Sequence, residues 1–475
     1  MRKAILILAA GLSLAALPAA FAEDVEIVTD ESALFGEESD SGVEAVAVSK
    51  EGSALSSFLK TEGLRWGGSF TGSVEPSWTM RAPWSSPSLD AYGLDTTVAG
   101  SLFFDARPDE DFRVYGKLKT SYPFASSANV LTAPAGSLTA TDSAALAVPN
   151  VQIFELFADW TYNDALFLRF GKHTVKWGVG YFFSPADVIN LGRIDPLDPT
   201  AQREGPVSLR IHYPVLGTQT NLWAYAILPS GEDPKPEEIA GAAKVEFLLA
   251  KSWELGLGAY YKYDSAPRAV LTASGSFWKL NLFGEAVASW GSDRNFVTDV
   301  HTPVGIPDGI DDFATFVVYE DKLFFSGTAG LTYSNADDNW SVATQYFYNG
   351  DGYSDADREK LIDQARNLLD SLGSSTATPV YQALIANTGR HYAAASLTKS
   401  ELVTDDLSVG LFAFANLSDL SGFVTPSVSY ELFDKASLEL SATFVFGSGD
   451  SEYVVLNEGA ALTLGFKASL GSGTF

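Results

Sequence analysis

The chain has 475 residues, 59 Asp and Glu against 31 Lys and Arg, and a net charge of -28. That charge excludes non-specific nucleic-acid binding. The absence of cysteine excludes disulfides, thiol chemistry and thiolate metal sites. Hydrophobic residues make up 46% and aromatics 13%, with 41 glycines. After the N-terminus, however, no run approaches the ~18 apolar residues of a membrane helix.

In chain order, Arg2 and Lys3 precede an apolar stretch from Ala4 to Leu17, and Ala20-Phe21-Ala22 fits a cleavage site. Residues 1–22 therefore read as a secretory signal peptide. Residues 23–60 hold Asp24, Glu26, Asp30, Glu31, Glu37, Glu38, Asp40 and Glu44 against Lys50. So little apolar surface predicts a flexible acidic periplasmic segment. Ala54 to Leu59 could form a short helix that touches or plugs the folded domain.

From Leu64 onward, short segments alternate between apolar and polar residues. In an extended strand such residues point to opposite faces. Leu438, Leu440, Ala442, Phe444 and Phe446 share one face, and Ser437, Glu439, Ser441 and Thr443 the other. In Leu280 to Trp290, Asn281, Glu285 and Ser289 form the polar face. Strands begin near residues 64, 92, 110, 151, 164, 206, 217, 238, 253, 267, 278, 322, 338, 390, 404, 419, 434 and 459. These ~18 strands predict an all-β fold over 61–475, a transmembrane antiparallel barrel. Links after even-numbered strands are short, such as Val215-Leu216, Lys251-Ser252 and Phe433-Asp434. Several after odd-numbered strands are long, including 125–150, 177–205, 291–321 and 350–389. Short turns belong on the periplasmic side, which puts both termini there. Trp66, Trp78, Trp84, Trp160, Trp177, Trp223, Trp290 and Trp340 lie near strand ends, as interfacial girdles do. In the long link 350–389, Ser354 can cap a helix with Asp355 and Asp357 in its first turn, its apolar stripe being Leu361, Ala365 and Leu368 or Leu369.

The last strand, 460–470, alternates in the same way and the chain ends at Phe475. A terminal Phe after such a strand resembles the C-terminal signature of bacterial outer-membrane barrels. Gly171-Lys172, Lys176-Trp177-Gly178 and Pro185-Ala186-Asp187-Val188-Ile189-Asn190 resemble alginate-export-type porins and uncharacterised Gram-negative barrel families. That resemblance implies a transport barrel of this size and carries no substrate residue across.

The third external loop, 177–205, mixes Phe182, Phe183, Ile189 and Ile194 with Asp187, Arg193, Asp195, Asp198, Arg203 and Glu204. Its apolar content needs burial, by folding into the lumen or by capping neighbouring loops. Folded inward, it would aim its charges at the pore. On the polar strand faces stand Arg113, Lys117 and Lys119, then Arg169, Arg210 with His212, and Lys244. Glu155, Asp159, Glu246, Glu254 and Glu285 intersperse. They would set a transverse field that selects solutes, or form wall salt bridges that stiffen the interior. Lys172 falls on the lipid side unless a bulge or the membrane rim intervenes.

No catalytic arrangement is legible. Ser208 and His212 share a face but are too far apart along an extended strand, so the chain reads as not an enzyme. The loop 349–357 lacks the Gly and Glu of a calcium-binding hand and reads as a helix cap. Asp308, Asp311 and Asp312 are solvated or bind a divalent ion. No cofactor is implied. The expectation is an outer-membrane, porin-like channel for small hydrophilic solutes, with outer-membrane lipid and solute as partners, no nucleic acid, and a homo-oligomer left open. The alternative is a non-conducting surface barrel acting in adhesion or envelope organisation.

Overall fold

The structure, a computed structural model, describes residues 64–83, 87–125, 150–230, 234–250, 252–302, 312–335, 339–372, 385–386 and 388–471. The signal peptide, the acidic segment, Trp84, Asp308, Asp311 and Phe475 lie outside the described residues.

The first strands are β1 (Leu64–Arg81), β2 (Ser88–Ala106), β3 (Phe112–Ala125), β4 (Asn150–Tyr162), β5 (Leu166–Lys172) and β6 (Val207–Val215). Then come β7 (Thr220–Ile227), β8 (Ala240–Leu249), β9 (Trp253–Tyr261), β10 (Arg268–Phe277) and β11 (Leu280–Trp290). A small hairpin, β12 (Phe296–Val300) with β13 (Ala314–Val317), stands apart. The wall resumes with β14 (Leu323–Asn335), β15 (Trp340–Tyr348), β16 (His391–Lys399) and β17 (Leu407–Asn416). It ends with β18 (Ser421–Phe433), β19 (Ala436–Phe446) and β20 (Ala461–Leu470). Consecutive wall strands pair antiparallel, and β1 pairs with β20, so 18 strands close on themselves. All eighteen expected strands are present; the β12–β13 hairpin, inside the long link 291–322, is an addition to them.

Closure removes every free edge of the wall, which hydrocarbon demands. The outward face is apolar: Leu271, Phe325, Leu440, Leu464 and Leu470 are exposed there. Left in water, each such side chain would forgo about 1.5–3 kcal/mol of burial; a lipid surround recovers it. The barrel is a transmembrane one. Trp66, Trp78, Trp160, Trp290 and Trp340 are exposed, as girdle residues must be. Trp177 and Trp223 are not: both are buried inside the wall. Trp223 is in register with His212 and shares the inward face of β7 with Tyr225, so strand parity overrides the residue's usual preference.

The inward face carries hydroxyl pairs across strands: Ser69 with Ser101, Thr79 with Thr463, Thr425 with Thr443 and Ser437 with Ser469, at 2.7–3.0 Å. Lys467 reaches Glu75 at 2.8 Å on the same face. The turns after β4, β6, β10 and β18 are tight. The β4–β5 turn takes left-handed backbone at Asn163 and Asp164, φ 52 and 50, which these residue types tolerate best after glycine.

Long links gather at the other rim. Helix α1 (Asp355–Leu372) is capped as expected: the Asp357 N–H donates to Ser354 Oγ at 3.2 Å. Leu361, Ala365 and Leu368 bury against Phe296, Val297, Val300, Phe313 and Phe324. Tyr353 Oη, in the same cluster, accepts the Val297 N–H at 2.7 Å. The loop 349–354 thus caps a helix, and among the described residues no cluster of acids and histidines is placed to hold a metal. A short helix, α2 (Glu452–Leu456), adds Val455 to this cap and Tyr453 to the wall beneath.

Candidate functional site

The chain between β5 and β6 makes contacts with strands on both sides of the barrel. Its base rests on β7 and β8: Trp177 packs edge-on to Tyr225 at 5.6 Å, and Lys244 Nζ donates to the Trp177 carbonyl at 2.9 Å. It then reaches β11, where Glu285 accepts the N–H groups of Val179 and Gly180, both at 2.6 Å. On β15, Gln345 Oε1 accepts the N–H of Phe182 at 2.6 Å. On β17, Phe182 meets Phe412 at 5.8 Å and Phe183 meets Phe414 at 5.3 Å. β15 and β17, the thirteenth and fifteenth strands of the closed wall, stand across the barrel from β5. Glu285, Gln345 and Phe414 lie on inward faces, each flanked on its strand by more exposed neighbours, and Phe412 shares the face of Phe414. The loop therefore crosses the lumen, the first of the two ways its apolar content could be buried.

Its tip remains wet. Arg193, Asp195 and Asp198 are exposed. Asp195 Oδ1 accepts the Leu197 N–H at 2.9 Å and Asp198 Oδ1 the Thr200 hydroxyl at 3.2 Å, which shapes a tight turn and leaves carboxylate lone pairs free for water. Burial, with the nearby Asp198 charge, raises the Tyr181 phenol above its ordinary value, so it stays neutral.

Two expected pore-lining acids serve the loop instead. Asp187 is buried and pairs with Arg203, and it also accepts Asn190 Nδ2 at 2.9 Å. Burial pushes its carboxyl above the usual carboxylate range, against the pull of Arg203 and Asn190. Glu204 pairs with Lys172 at 2.6 Å. Lys172 is in register with outward-facing Leu156, so this pair neutralises a charge on the outward side at the strand end. Gly171, at φ 136, turns the chain there.

The wall charges fall on the expected face and join across strands. Arg113 Nε donates to Asp105 at 2.8 Å, and its guanidinium also lies 3.7 Å from Asp159. Arg169 grips Asp159 at 2.6 and 2.9 Å and lies 3.9 Å from the centre of the Phe157 ring. Arg169 is in turn in register with Arg210, which sits 5.6 Å from the Trp223 ring. Lys119 Nζ is 3.3 Å from the Phe154 ring centre. Lys244 pairs with Glu246 at 2.6 Å, and Glu246 takes the Trp223 indole N–H at 2.7 Å. Two wall residues bind the loop itself: Lys117 Nζ donates to Gln202 Oε1 at 2.9 Å, and Glu155 accepts the Thr174 N–H at 3.3 Å. His212 stacks on Trp223 at 3.8 Å and shares a 3.0 Å hydrogen bond with Asn221, so its ring is committed to the wall.

The opposite wall is aromatic. Phe347, Tyr392, Phe412, Phe414 and Phe423 line β15 to β18 and receive Tyr181, Phe182 and Phe183 from the loop. Above them Glu452 accepts the Tyr392 hydroxyl at 2.9 Å and Asn416 Nδ2 at 2.7 Å, tying α2 to the wall. Sequence reasoning singles out neither Gln345 nor this aromatic wall. The glycine pair of Gly178-Val179-Gly180 signals the wrap around Glu285, since it frees consecutive N–H groups to meet an acceptor; the N–H groups that Gln345 takes come from Tyr181, Phe182 and Phe183, which carry no such mark.

No family model matches the sequence, and no curated protein matches it. The alginate-export-type likeness of 171–190 therefore gains no support. Among solved structures the chain is similar to OccAB1 of Acinetobacter baumannii, at 11% identity and a TM-score of 0.48, covering 86% of this chain and 96% of that one. It is similar to Pseudomonas aeruginosa OpdK with vanillate at 10% identity and 0.47, covering 86% and 99%. It is also similar to the outer-membrane channel DcaP of Acinetobacter baumannii at 14% identity and 0.41, covering 87% and 99%.

Proposed function

We propose that the chain is an outer-membrane channel for passive passage of small hydrophilic solutes. The single observation that carries this reading is the loop 173–206, folded across the lumen of a closed barrel and presenting an exposed, charged tip at Arg193, Asp195 and Asp198. Barrels of 16–18 strands are wide enough for an aqueous channel, and an inward loop narrows such a channel without sealing the wall. In this reading residues 1–22 direct export and are removed. The short turns face the periplasm with both termini, and the capped long links face outward. Solutes diffuse past the tip, and the wall charges of β3 to β8 bias which of them enter.

Conductance in planar lipid bilayers tests this. The purified protein gives discrete openings in potassium chloride, and deleting residues 191–202 enlarges each step. A protein that inserts as a heat-modifiable barrel yet never opens, with or without the deletion, rejects the channel and leaves a surface barrel.

A further inference from the structure

The stretch 178–186 winds round two inward wall side chains that differ in chemistry. Around Glu285 stand only donors. Oε1 accepts the Val179 and Gly180 N–H groups and the Ser184 hydroxyl at 2.6, 2.6 and 2.8 Å, and Oε2 accepts the Ala186 N–H at 2.9 Å. Donors to a carboxylate are the stronger kind of hydrogen bond. Gln345 meets a mixed surface. Its Oε1 accepts the N–H groups of Tyr181, Phe182 and Phe183 at 3.1, 2.6 and 3.2 Å. Its Nε2 donates to the Phe183 carbonyl at 2.6 Å and to Thr328 Oγ1 at 2.5 Å. The Thr328 hydroxyl gives its own proton to the Tyr346 carbonyl at 2.7 Å, so it offers Gln345 a lone pair. A carboxylate at 345 would face two acceptors. An amide at 285 would turn its NH2 toward a donor whichever way it flipped.

The wrap also depends on two glycines. A Cβ on Gly178 would fall 2.0 Å from Ser184 Oγ and 2.6 Å from Glu285 Oε1, and one on Gly180 would fall 1.8 Å from the Phe183 carbonyl oxygen. Side chains there would push the N–H groups off their acceptors.

We propose that Glu285 and Gln345 are the positioning residues of the permeation path: a two-point latch, matched donor to acceptor, that fixes where the exposed tip charges Arg193, Asp195 and Asp198 stand in the lumen. Neither touches the solute; both act through the loop. This rests on the channel reading above.

The test is a double-mutant cycle between latch and tip. The exchange E285Q/Q345E conserves volume and net charge and inverts the hydrogen-bond match at both points. The tip is altered by D195N/D198N. Zero-current potentials are read in a potassium chloride gradient for wild type, exchange, tip variant and their combination. Neutralising the tip acids shifts the wild-type potential toward anion preference. In the exchanged background that shift falls by more than half, and open-channel noise rises as the tip wanders. Equal shifts in both backgrounds, or no tip effect in the wild type, overturn the latch. If the exchange does not assemble, E285Q alone carries the same comparison. A wild-type protein that never conducts rejects the channel reading; a conducting one with equal shifts rejects only the latch.

Discussion

The two halves of the inner wall solve the same problem with different chemistry. From β2 to β8 the lumen face is held by ion pairs among Asp105, Arg113, Asp159, Arg169, Lys244 and Glu246. From β15 to β18 it is held by stacked rings, with Phe414 and Phe423 at 5.7 Å and Phe183 and Phe347 at 5.2 Å. The charged half carries groups of both signs, paired across its strands. The aromatic half contributes packing and no field. The loop joins one side to the other.

Three variants break or sharpen that contrast. Phe414 is buried against Phe183, Phe423 and Tyr453. Phe414→Ala is expected to cost about 4 kcal/mol, read as a lowered urea midpoint for unfolding from lipid vesicles, while the zero-current potential moves less than in the wall-charge variant that follows. Asp159 serves both Arg113 and Arg169. Asp159→Ala leaves two neighbouring guanidiniums without their shared acceptor, costs about 3 kcal/mol, and moves the zero-current potential toward anions. A potential that shifts in the first and not in the second would reverse the assignment of roles. The smallest effect comes from Asp187. Its raised carboxyl binds a proton more tightly in the docked loop than in an undocked one. Docking is therefore favoured most below the usual carboxylate pKa and loses that part as pH rises through the raised value. On acidification Asp187 becomes neutral while Arg203 stays charged. The zero-current potential should drift toward anions there, and Asp187→Asn should flatten the drift.

Much of the wall is legible in the sequence because strand parity is a local rule. Alternation places Glu285, Arg113, Lys117, Arg169 and Arg210 on the inward face, and connection lengths sort the two rims. The helix cap at Ser354 is legible from one side chain and its neighbours. The features that escape have partners far along the chain. Glu285 reads as a lumen acid, but its partners are mostly backbone N–H groups, which leave no trace in a side-chain pattern. Glu204 falls to the pore by its place in an inward loop, yet Lys172 draws it to the outward side. Trp177 and Trp223 go to the girdles by residue type, where fold position decides instead. The β12–β13 hairpin, five and four residues long, is too short to stand out from the loop around it.

The distance in sequence between the loop and its anchors has a consequence for assembly. Val179 lies 106 residues before Glu285, and Phe182 lies 163 before Gln345. Contacts that close such long stretches of chain form late, because the entropy of closure must be met before they repay it. The early strands hold only the two ends of this segment, through Lys117, Glu155 and Tyr225, and its crossing stretch waits for the later ones. The bore is thus wide while the cylinder is being built and narrows only when the thirteenth strand arrives.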